Sequence, residues 1–217
     1  MAELDDCCGG PCCYNWKDFW WCLLCILIIV VIVVIIVLVV AFGFVRQPAI
    51  TVDDASLTRF ALVNTPTTTG LAYNLTLTLT VRNRNWAMAM TNTENLEATY
   101  KFDGQQFDRV RLADKDKKQG AKKTVVYRLV SGSEGSTTAG TLGNAGVAEF
   151  RKENATGTFE VEVAVTGKVK YTARITKCKI EATCTLKLQL APPGQASSAA
   201  VVFEKVKCKL AKAETNC

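Results

Sequence analysis

The chain has 217 residues, with 26 basic and 20 acidic side chains, a formal charge of +6 and no histidine. Without imidazole there is no Ser-His or Cys-His relay, no zinc-hydrolase His pair and no ordinary catalytic base near neutral pH. No P-loop, G-x-S-x-G or G-x-G-x-x-G string occurs either, and no nucleic-acid recognition motif accompanies the basic excess, so the composition points away from an enzyme and from nucleic acid.

The charge is unevenly divided. Residues 1–22 hold one lysine against four acids, net −3, and the remainder holds 25 bases against 16 acids, net +9. The acidic stretch contains Cys7, Cys8, Cys12 and Cys13. Adjacent cysteines without a Cys-x-x-Cys knuckle or a histidine match structural zinc poorly, and a reducing cytosol would not keep them as disulfides. Next to a membrane segment they are ordinary substrates for reversible S-acylation, the reading preferred over free thiols or a metal site.

From Leu23 to Phe42 no side chain is charged and none carries an amide or hydroxyl. Twenty residues of helix rise about 30 Å, the thickness of a bilayer's hydrocarbon core. Trp16, Trp20 and Trp21 precede it as an interfacial belt. A cleaved leader would have a basic start, a shorter apolar core and a small-residue cleavage site, whereas this chain begins MAELDD. The expected organisation is a tail over 1–22, a retained transmembrane signal-anchor over 23–44 and one domain over 45–217.

Flanking charge does not decide orientation, because Lys17 on one side faces Arg46 on the other. Two other features favour a cytosolic tail and an exported domain, a single-pass type II protein. Asn74-Leu75-Thr76 and Asn154-Ala155-Thr156 are N-glycosylation acceptors by sequence, and Cys178, Cys184, Cys208 and Cys217 form an even set such as an oxidising compartment permits.

Beyond Arg46 the pattern alternates. In LAYNLTLTLTV, Leu71, Tyr73, Leu75, Leu77, Leu79 and Val81 share one face and Asn74, Thr76, Thr78 and Thr80 the other, the period of a half-buried strand. FEVEVAV places Phe159, Val161, Val163 and Val165 inward, and KVKYTARI places Val169, Tyr171, Ala173 and Ile175 inward. Further strands are expected over 55–63, 96–102, 123–130, 180–190 and 201–210. Seven to nine strands without a convincing amphipathic helix indicate an all-β, antiparallel β-sandwich. SGSEGSTTAGTLGNAG, 131–146, reads as a flexible surface loop.

Strand parity puts Cys184 inward with Ala182, Leu186 and Leu188, and Cys208 inward with Val206 and Leu210. If the two strands are neighbours the sulfurs meet, so a Cys184–Cys208 disulfide is expected, worth about 3 kcal/mol in the chain-entropy model. Simple buried thiols are the alternative. Cys178 cannot reach Cys184 along one extended strand, which leaves Cys178 and Cys217 free or paired with each other.

The stretch from Val81 to Leu129 resembles the plant harpin-induced-like and non-race-specific-disease-resistance-like proteins, whose outer domain is of the late embryogenesis abundant group 2 type. The likeness rests on Asn83-Arg84-Asn85 as the turn ending a hydrophobic strand, Leu96, Ala98 and Tyr100 on the next strand, the Gly104-Gln105-x-Phe107 hairpin, and Gln119, Gly120 and Thr124. KCKIEATCTLKL and VKCKL resemble the closing strands. Arg84 departs from the family, which has proline there. The resemblance implies a fibronectin-III-like sandwich on a plasma-membrane protein of defence or abiotic-stress response, with no enzymatic activity and no cofactor.

The densest basic segment, RLADKDKKQGAKK, offers Lys115, Lys117, Lys118, Lys122 and Lys123 as a binding surface for a protein partner, anionic lipid or cell-wall polysaccharide. A solvated hairpin is the plainer account of such a run. Self-association is left open. Two other functions compete with this reading. A lumenal glycosyltransferase could use Asp114-Lys115-Asp116 to hold a divalent ion, but the βα alternation of nucleotide-binding folds is missing. A lipid carrier would need a cavity, and the inward residues are large enough to fill a core.

Overall fold

A computed structural model describes residues 16–64, 69–133, 142–172, 174–190 and 203–211; the side chains of Asp18 and Asn64 are outside this description. The chain divides into two compact units between Phe44 and Val45.

The first unit contains helix α1, Trp16–Gly43. Its Phe19–Gly43 stretch is long and apolar enough to cross a membrane, and every residue of 19–40 is exposed. In water such a surface would be untenable; in lipid it is the expected one. The helix starts at Trp16 rather than Leu23, because nothing between them breaks a helix, and so takes the three tryptophans into its opening turns. Cys22 and Cys25 lie on it, both exposed. The proposed acylation sites Cys7, Cys8, Cys12 and Cys13 lie outside the described residues.

The second unit is mostly antiparallel strand. Among the described residues one sheet has the order β10-β1-β2-β7, from Val206–Lys207, Ala49–Asn64, Thr69–Arg82 and Thr124–Ser133. The other runs β11-β9-β8-β3-β6, from Lys209–Leu210, Lys177–Gln189, Thr158–Tyr171, Met90–Asn92 and Lys118–Gln119. β4 (Leu96–Phe102) also pairs with β8 and carries β5 (Gln105–Ala113) on its far side. The inner faces of both sheets share one apolar core, so the unit is sandwich-like.

β8 is one strand where the sequence suggested two, and its outer neighbour changes along its length. β4 pairs with Val161–Thr166 and β3 with Val169–Tyr171. The change falls at Gly167, where a Cβ would stand 2.9 Å from Leu96 Cδ1, so a side chain there would have to push the buried Leu96 aside. In β1 the inward residues are Ile50, Val52, Ala55, Leu57 and Phe60, and register shifts between Val52 and Asp54 and between Leu57 and Arg59 mark two bulges. Each bulge inserts one residue, so the apolar set stays inward across a change of phase.

Four expectations are corrected. Residues 144–156 form helix α2, Asn144–Thr156, ended by Gly157 in the left-handed conformation (φ 69°), so the fold is not helix-free. The stretch 131–146 is accordingly not one loop: Ser131–Ser133 finish β7, and Asn144–Gly146 begin α2. Ile175 is 93% exposed rather than inward, because β8 ends at Tyr171 and the chain turns before β9. Within 201–210 the described strand is also shorter than expected, two residues on each side of Cys208, which lies between β10 and β11.

Phe150 of α2 lies against Phe60 and Phe159, with ring centroids 5.6 and 5.4 Å apart. Phe60 meets Phe102 and Phe159 edge to face at 5.3 and 4.7 Å. The helix thus closes the end of the sandwich farther from Val45 with an aromatic cluster.

Candidate functional site

The opposite end, where the chain enters at Val45, is organised by buried amides. Asn83 and Asn85, 0% and 2% exposed, flank the outward-facing Arg84. Asn83 Oδ1 accepts from Asn85 N at 3.0 Å, and Asn83 Nδ2 donates to Met88 O at 2.9 Å and Gly120 O at 3.1 Å. Asn85 Oδ1 accepts from Arg46 N at 2.7 Å while its Nδ2 donates to Arg46 O at 2.8 Å. Gln119 Nε2 donates to Val81 O and Lys123 O at 2.9 and 2.7 Å. Backbone bonds Lys122 N to Asn85 O and Thr172 N to Ala89 O complete the arrangement. Three loops, 83–89, 120–123 and 172–176, and the lead-in 45–48 are therefore fixed to one another. The turn needs no proline at position 84, because both asparagine side chains hold it.

The Tyr171 phenol donates to Arg46 O at 3.4 Å. Burial pushes it up to about 12, with hydrogen bonding to Asn85 pulling the other way.

This end is strongly basic. Arg46, Arg82, Arg84, Lys122, Lys123, Lys170 and Lys177 are all exposed. No acidic residue occurs in 44–50, 82–91, 119–125 or 169–178, and the ion pairs found among the described residues involve none of these seven cations. Beside them Trp86 is 46% and Ile175 93% exposed.

Of the lysines singled out from sequence, Lys122 and Lys123 belong to this end. Lys115, Lys117 and Lys118 are exposed on the flank leading away from it. Lys115 borders an open cleft of about 680 Å³ also lined by Glu94, Glu97 and Lys168. There Lys168 is paired with Glu94 at 2.7 Å. All five lysines are exposed. Arg46, Arg82, Arg84, Lys170 and Lys177, which the sequence reading missed, are distant along the chain; the shared signal was four segments free of acids.

Asp114 and Asp116 are exposed, and Asp114 Oδ1 accepts from Arg111 at 3.3 Å. Among the described residues no group of three or more acidic, cysteine or histidine side chains is placed to hold a metal. Asn74 is exposed on the outer face of β2 and Asn154 on the last turn of α2, both toward the end away from Val45. Cys184 and Cys208 are disulfide-bonded with Cα atoms 4.3 Å apart. Cys178, buried on β9, is disulfide-bonded too, and Cys217 lies outside the described residues.

No family model matches the chain, and neither does any curated protein. Among solved structures it is similar to a protein from Archaeoglobus fulgidus at 9% identity, covering 64% of this chain and 99% of that one with a TM-score of 0.30.

Proposed function

We propose that this is a membrane-anchored, non-enzymatic interaction module: a single-pass type II protein whose sandwich stands outside the cytosol. The observation that carries the reading is the pairing of one long apolar helix, exposed throughout 19–40, with a separate disulfide-bonded domain. Disulfides persist in oxidising compartments, which supports export of the domain, as do two exposed sequons on its far end. The resemblance of the Val81–Leu129 segment to the harpin-induced-like proteins supports a late embryogenesis abundant group 2 domain, a plasma-membrane location and a part in plant defence or abiotic stress. Contacts would be with protein, lipid or cell wall.

Protease protection combined with a glycosidase mobility shift on sealed membranes tests it. The expected result is a digestible, glycosidase-sensitive domain on the outer side of intact cells. A protected domain without glycan, digested only after permeabilisation, would overturn the reading.

A further inference from the structure

We propose that the basic end of the sandwich is itself a membrane-docking face, seated on the anionic headgroups of the bilayer that α1 crosses. The inference rests on the anchored reading above and adds which surface meets the membrane and by what chemistry.

Covalent geometry is the first argument. Two residues, Phe44 and Val45, separate Gly43, the end of α1, from Arg46, so three Cα steps give a reach of about 10 Å. Asn85 clamps the Arg46 backbone from both sides, at 2.7 and 2.8 Å. The loops fixed to Asn85 therefore cannot stray far from the point where the helix leaves the hydrocarbon. That distance is close to the Debye length of about 8 Å at physiological salt, the range over which a charged surface attracts.

Composition is the second. Arg46, Arg82, Arg84, Lys122, Lys123, Lys170 and Lys177 are exposed in segments that contain no acid. Elsewhere on the domain, lysines and arginines are repeatedly paired: Lys101 with Glu162, Lys168 with Glu94, Lys179 with Glu181 and Lys205 with Asp53. Phosphate oxygens would supply the counter-charges that this end lacks. Each cation near an anionic leaflet raises occupancy roughly fivefold, and the tether removes most of the cost of finding the surface.

The third is the pair of apolar tips. Trp86 and Ile175 project from adjacent loops whose backbones are joined through Ala89 O and Thr172 N at 3.0 Å. A tryptophan among cations suits the headgroup layer, where its ring is half wet, and the exposed Ile175 beside it adds an apolar tip to the same face. Both sequons lie toward the opposite end, where bulky glycans would not obstruct docking.

The test uses the full chain reconstituted in vesicles of neutral phosphatidylcholine, with or without about 30% phosphatidylserine. Amide hydrogen exchange is followed in 83–89, 120–124 and 172–177. Exchange in these segments should slow about tenfold with anionic lipid and recover at high salt, while β4 and residues 158–166 of β8 stay unchanged. The combined substitution Arg84→Gln, Lys122→Gln, Lys123→Gln and Lys170→Gln should abolish the slowing, and Trp86→Ser with Ile175→Ser should weaken it. The intact Cys184–Cys208 bond serves as the folding check on variants, and the salt series on the unaltered chain decides the matter should a variant misfold.

Identical exchange in both vesicle types, from a chain that resists carbonate extraction, would overturn the docking face and leave the anchor standing. Extraction of the chain by carbonate would overturn the anchor and the inference with it. Slowing by soluble polygalacturonate but not by anionic lipid would reassign the face to cell-wall polysaccharide and sink the proposal.

Discussion

Asn85 is a small side chain with a large share of the fold resting on it. Both polar atoms of its amide are used on the Arg46 backbone, and it is buried, so removal leaves an N–H and a C=O without partners in a dry place. Asn85→Ala should destabilise the domain by about 2–4 kcal/mol, read as a lowered denaturation midpoint, with faster amide exchange in 45–48 and 120–123. An unchanged midpoint would show that the clasp is ornamental. Asp53 poses a different question at the same scale. Burial pushes its carboxyl up, but hydrogen bonds from Lys205, Thr80 and Thr51 and the Lys205 charge outweigh this and hold it below the ordinary 3.8. A carboxyl depressed in the folded state contributes stability that is present above its unfolded value and lost as pH falls through the folded one. Stability of the unaltered domain should therefore decline below about pH 4, and Asp53→Asn should flatten that acid limb while lowering stability at neutral pH. An acid limb of equal steepness in both proteins would place the sensitivity elsewhere.

At the scale of elements, what the sequence revealed depended on whether periodicity survived. β2 was fully legible because Leu71 to Val81 alternate without interruption, and β4 because Leu96, Ala98, Tyr100 and Phe102 do. β1 was legible only from Ala55, since the bulge at Asp53 changes the phase of the inward set and hides Ile50 and Val52. Helix α2 escaped because its inward face amounts to Gly146, Phe150 and the half-buried Val147, too thin a stripe to register as amphipathic. The basic end was legible only at Lys122 and Lys123, because pairing across sheets, not spacing along the chain, gathers the rest. The Cys184–Cys208 bond could be anticipated from strand parity on the condition that the late strands are neighbours, which the pairing of β11 with β9 meets. α2 owes its place chiefly to Phe150, one ring among Phe60, Phe102 and Phe159. Phe150→Ala should cost about 3–5 kcal/mol by leaving a cavity under the helix, and exchange in 144–156 should become fast well before the sheets open. If α2 stays protected in that variant, backbone contacts such as Leu142 N to Thr69 O hold it instead.

For the molecule as a whole, the proposed topology predicts that thiol chemistry differs between the two sides of the membrane. Cys178, Cys184 and Cys208 of the domain are disulfide-bonded, whereas Cys7, Cys8, Cys12 and Cys13 precede α1. Only thiolates react with a maleimide, so a disulfide is silent until reduced and a thioester until cleaved by hydroxylamine. On intact cells an impermeant maleimide should leave the chain unlabelled. Prior treatment with an external reductant should then admit label into the domain, since that compartment is open to the reagent. Permeabilisation followed by hydroxylamine should add label to the tail alone, at Cys7, Cys8, Cys12 and Cys13, and substitution of those four by serine should remove this increment and no other. Because the proposed topology puts the two increments on different bonds on opposite sides of α1, they should be independent and additive. Labelling of the tail on intact cells, with the domain reached only after permeabilisation, would invert the topology. The docking face would then meet the cytosolic leaflet, where anionic lipid is most abundant, and the domain's disulfides would have to survive a reducing compartment.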